Sequence, residues 1–178
     1  MDKRLILGNI ISLVAGVFIL IVLILLASSG IIFVYNVTTE MLMWIIWGSG
    51  ILAYMEYSTC NLKAEILMKV FPPIAIIITF IGLIFILQGK FLGLELIVLG
   101  YILEPLAGIS LFITIKEYSP VSAYLFFLGA EVYTLGLPLH LVSFPYLAII
   151  GDVVKILGLV NFIFISIKGK YSGLLEVL

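Results

Sequence analysis

At 178 residues the chain has the length of one modest domain, but 64% of its side chains are hydrophobic, only 11% are charged and its mean hydropathy is +1.37. That balance excludes a water-soluble globule and makes lipid the natural solvent. A net charge of −1, with no Lys/Arg run longer than 2 residues, gives no surface for nucleic acid, and the single cysteine, Cys60, excludes an intrachain disulfide or a multi-cysteine metal or redox centre.

From Leu5 to Thr39 there is no acidic or basic side chain, a stretch longer than the roughly 20 apolar residues that a spanning helix needs. It also exceeds the roughly 7 to 15 apolar residues of a cleaved signal, so a retained helix over about residues 5–27 is expected. On it Gly8, Ser12 and Gly16 recur every fourth position. Such a small-residue stripe suits close helix packing, within the fold or against another membrane protein. Asn36-Val37-Thr38 follows as a glycosylation-type triplet. A second helix is expected over residues 41–57, with Trp44 and Trp47 near one boundary and Tyr57 near the other. With Tyr118 and Tyr171 these read as interfacial aromatic anchors.

The third helix is expected over residues 71–88, with Pro72-Pro73 in its first turn, where a missing N–H costs nothing. The fourth, over residues 91–115, carries Glu104 near its middle between Gly100 and Gly108. Pro105 removes a backbone donor there and predicts a kink with a free carbonyl beside Glu104. The fifth, over residues 121–138, holds Glu131; His140, the only histidine, falls in the charge-free loop beyond it. The sixth, over residues 144–167, holds Asp152 and Lys155 one turn apart, with Gly151 and Gly158 on the same face.

These runs define an all-α, six-helix transmembrane bundle, a single membrane domain over residues 1–178. Every backbone polar group in lipid must be satisfied within its segment or in a closed barrel, and no run shows the alternating polarity of barrel strands. Lys3, Arg4, Lys63, Lys69, Lys116, Lys168 and Lys170 fall on one side and only Lys90 on the other. By the excess of basic residues in cytoplasmic loops, both termini are expected in the cytoplasm and the protein in the cell membrane. Helices 2, 4 and 6 end in similar Tyr-Ser segments, and residues 99–107 align without gaps with residues 150–158, placing Glu104 opposite Lys155. Duplicated hairpins or recurrent interfacial chemistry explain this equally well.

A charge at the middle of a spanning helix costs about 2.5 to 3.5 kcal/mol on insertion scales, which makes Glu104, Glu131, Asp152 and Lys155 the candidate binding residues. One polar cluster inside the bundle is expected, binding a proton, a cation or a small polar solute with Lys155 as counter-charge. The structural alternative pairs Asp152 with Lys155 and ties the glutamates to Tyr101, Tyr124, Tyr133, Thr134 or Asn161, fixing helix register alone. No catalytic motif, cofactor site or metal site is recognisable, so catalysis is disfavoured. In length, six spans and inward termini the chain is similar in architecture to the substrate-binding S components of energy-coupling-factor transporters, which also need a packing face for their partner. That resemblance implies transport and transfers no residue role. The alternative is a non-catalytic subunit of a larger membrane assembly. The expected partners are the lipid bilayer and either another membrane protein or a second copy of the chain.

Overall fold

In the computed structural model residues 2–175 are described, with side chains placed as far as Lys168; Tyr171 and Lys170 of the expectations above lie outside the described side chains. Every regular element in this range is helical. Helix α1 (Lys3–Ser29) is capped by Asp2, whose carboxylate accepts from the Arg4 N–H at 2.9 Å. It ends at Gly30, whose φ of 84° lies in the left-handed region that glycine enters without strain. A 3-10 turn (Ile31–Tyr35) leads to α2 (Val37–Ser58), capped by Asn36 through the Thr38 N–H at 2.9 Å. Then come α3 (Glu65–Leu87), α4 (Leu92–Ile102), α5 (Glu104–Lys116), α6 (Pro120–Leu141) and α7 (Tyr146–Leu175).

Because α4 and α5 continue one another, these segments make six rods. Five are long and apolar enough to cross a membrane: α1, α3, the α4–α5 pair, α6 and residues 146–168 of α7. The α2 rod is bounded by Glu40 and Glu56 and diluted by Gly48, Ser49 and Gly50, yet it packs between α1 and α3 like the others.

Several boundaries differ from those expected, α6 running on to Leu141 and α7 to Leu175, and three others have an identifiable cause. Helix α2 starts at Val37 because the Asn36 side chain supplies its N-cap. This places Trp47 midway along the helix instead of at its boundary. Helix α3 starts at Glu65, so Pro72 and Pro73 lie inside it and not in its first turn. Its start is set by the preceding segment: Lys63 N–H donates to Thr114 Oγ1 at 3.0 Å, and Ser110 Oγ donates to the Lys63 carbonyl at 2.7 Å. Ala64 then turns through a left-handed φ of 53° into a first turn where the Glu65 carboxylate meets the favourable end of the helix dipole. Finally, Pro105 divides the fourth rod at Leu103. At the break the Leu103 N–H donates to the Gly100 carbonyl at 3.1 Å.

Small residues set the packing, as they do where lipid removes most of the hydrophobic incentive for helices to associate. The α6–α7 pair is the most intimate. A Cβ on Gly129 would strike the Lys155 backbone, one on Gly136 the Ala148 backbone, one on Gly151 the Tyr133 backbone and one on Gly158 the Phe126 backbone. Gly82, Gly93 and Gly100 close α3 against α4 in the same way. The stripe on α1 is consumed inside the fold. Gly8 faces the Tyr57 ring, Ser12 Oγ lies 3.0 Å from Tyr57 Oη, and Gly16 abuts Ile156 and Asp152 of α7. Tyr57 is therefore a buried packing residue and not an interfacial anchor, whereas Tyr118 is exposed as an anchor would be.

Candidate functional site

The site is built on the close packing of α6 against α7. Contact between Gly129 and the Lys155 backbone brings α7 against α6, and from there the Lys155 side chain turns into the bundle with only 3% of its surface exposed. Its Nζ lies 3.0 Å from Asp152 Oδ1, 3.5 Å from Glu104 Oε1 and 4.3 Å from the centroid of the Tyr133 ring. The ammonium thus has two carboxylates and an aromatic face around it. Tyr101 meets Tyr133 edge to face at 5.8 Å and steadies that ring.

The two carboxylates are held differently. Asp152, one turn before Lys155 on α7, is fully buried, and among the described residues neither of its oxygens has a hydrogen-bond partner beyond the ion contact on Oδ1. Glu104 is the first residue of α5. The break at Pro105 turns what would be mid-helix into a helix N-terminus, where unpaired N–H groups and the helix dipole favour an anion. Its side chain keeps 36% of its surface accessible, which makes it the reachable member of the triad.

Glu104 and Lys155 stand in the wall of a cavity of about 270 Å³ that takes side chains from every rod. Among the described residues they are, with His140, its titratable acidic and basic lining residues. Trp47, Tyr54, Tyr57, Tyr101 and Tyr133 contribute aromatic rings, and the rest is mainly aliphatic. Trp47 is fixed by donation from Nε1 to the Ile76 carbonyl at 3.0 Å and by stacking on Phe80 at 5.2 Å.

Three of the four expected site residues, Glu104, Asp152 and Lys155, thus come together. Glu131 does not. It lies on the stripe of α6 formed by Tyr124, Leu128, Leu135 and Leu139, all exposed on the outer surface of the bundle. Among the described residues no hydrogen bond or ion pair reaches it. The reason is rotational: Gly129 and Tyr133 must face α7, which turns position 131 outward. His140, expected in a loop, instead belongs to the last turn of α6, where it is buried and lines the cavity end furthest from Met68 and Leu111.

Of the other polar residues weighed as structural partners of the glutamates, Asn161 Nδ2 donates to Ser122 Oγ at 2.9 Å and Tyr124 packs on Phe112, while among the described residues Thr134 Oγ1 has no hydrogen-bond partner. Among the described residues no group of three or more His, Cys, Asp or Glu side chains is placed to hold a metal ion.

Fold and site together define a helical membrane protein with a buried ion-paired triad opening on an internal, largely apolar cavity. Comparison with protein-family models, curated proteins and solved structures finds no match to the chain.

Proposed function

We propose that this protein is a small translocation module of the cell membrane, with both termini cytoplasmic, that binds a proton or a cationic solute at Glu104, Asp152 and Lys155. The observation that carries the reading is convergence: charges from α5 and α7 meet at the wall of one cavity. Two carboxylates face the one ammonium. The surplus negative charge in a low-dielectric interior favours uptake of a proton or cation. The segregation of Lys and Arg to one set of loops supports the orientation.

The test is uptake into proteoliposomes under an imposed membrane potential. Wild-type protein is expected to raise proton or monovalent-cation influx above that of empty liposomes. E104Q and D152N should lose it by at least about tenfold, the scale of a lost interaction worth about 1.4 kcal/mol, while E131Q keeps it. Influx equal to that of empty liposomes, or unaffected by E104Q, overturns the proposal.

One observation favours a second reading, in which the chain is a non-catalytic subunit of a larger membrane assembly. Half-buried Glu131 has no ion-pair or hydrogen-bond partner among the described residues and lies on the outward stripe of α6, and an ionisable group at that depth calls for a proton or a partner of opposite charge. Under this reading E131Q disrupts association and leaves the cavity unaffected.

A further inference from the structure

We infer that the cavity takes an organic amine, a protonated nitrogen on an apolar body of aryl-alkyl size; this rests on the proposed binding role of the triad and specifies its ligand. Three observations converge on that chemistry. The first is charge. Lys155 is already held by Asp152 at 3.0 Å and Glu104 at 3.5 Å, with the Tyr133 ring on its third side. An anionic ligand would have to displace a carboxylate that belongs to the protein, whereas a cationic one completes the coordination of Glu104. The second is exposure. With Asp152 sealed off, Glu104 is the carboxylate that presents surface to an incoming group.

The third observation is shape and lining. An apolar cavity of about 150 Å³ holds benzene, so the 270 Å³ here accommodates a body roughly twice that size. A small hydrated inorganic ion would leave most of this aliphatic and aromatic wall unused. Trp47, Tyr54, Tyr57 and Tyr101 line the same cavity as Glu104, and aromatic rings near an ammonium strengthen its binding where water is excluded.

Trp47 provides the readout, since it lines the cavity while Trp44 does not. In W44F protein reconstituted in lipid, 2-phenylethylamine is expected to change Trp47 fluorescence saturably, with 2-phenylethanol and phenylacetate binding at least about tenfold more weakly. E104Q should remove the preference for the amine and leave the weak binding of the alcohol unchanged. Equal binding of the three probes, or an undiminished amine preference in E104Q, overturns the inference. The comparison of probes on unsubstituted Glu104 decides the matter even where E104Q fails to fold. Failure of the parent proposal is distinguishable: amine binding without any proteoliposome uptake removes translocation and keeps the ligand class. Proton uptake without amine selectivity does the reverse.

Discussion

Lys155 and Asp152 carry the largest individual stakes in the molecule. At 3% and 0% exposure neither charge has recourse to water, and removing one partner of such a buried pair typically costs about 3–5 kcal/mol because the other is stranded. K155M is therefore expected to be severely destabilised, and D152N/K155M substantially less so, as read from denaturant unfolding of a double-mutant cycle. A loss in the double variant equal to the sum of the D152N and K155M losses would show that the two charges are not coupled. Cys60 gives a separate check near the α2–α3 connection. Burial, reinforced by the nearby Asp2 carboxylate, pushes its thiol up from 9.0 to about 11. Since the thiolate is the nucleophile, maleimide labelling of folded protein should be slow at pH 7–8 and rise toward pH 11. Below pH 9 the thiol is neutral in both folded and unfolded chains; between pH 9 and 11 only the unfolded chain ionises, so this residue's contribution to stability is lost across that window. Labelling at the rate of a free thiol at pH 8 would contradict the buried placement.

Among the elements, α6 and α7 depend most on the absence of side chains. A Cβ on Gly129 or Gly151 would meet backbone atoms, which do not move aside as a flexible side chain does. G129A and G151A are each expected to cost about 1–3 kcal/mol, the usual penalty of overpacking, and G129A should also displace Lys155. G48A, with open space at that position, should be close to neutral, and equal behaviour of G48A and G129A would refute the packing account. The break between α4 and α5 makes a functional prediction. P105A restores the missing N–H donor, extends α4 and removes Glu104 from a helix N-terminus. Amine affinity should fall in P105A with the fold retained by circular dichroism.

For the whole molecule, long uncharged runs made helix number and membrane class readable from the residues alone, because the cost of a charge in lipid is large enough to register in composition. Boundaries were less readable. The contacts that moved the starts of α2 and α3 depend on the Asn36 cap and on hydroxyls of α5, far away in sequence, that hold the Lys63 backbone. The depth of Glu104, Asp152 and Lys155 could be counted along the helices, but their convergence required knowing how each helix is rotated, and apolar side chains on every face conceal that. The glycines at positions 129, 136, 151 and 158 held the missing information. Their seven-residue spacing on consecutive helices marks the buried face of each, and Glu131 is off that face.

The claim that Glu104 is a binding group and not part of a structural lock is tested most directly by the uptake of E104Q per folded molecule, with its thermal midpoint taken on the same proteoliposome preparation. The account predicts a midpoint close to that of wild type, because Glu104 is the accessible and more distant partner of Lys155, together with loss of uptake. Uptake retained in E104Q, or lost only in proportion to a fallen midpoint, would contradict it.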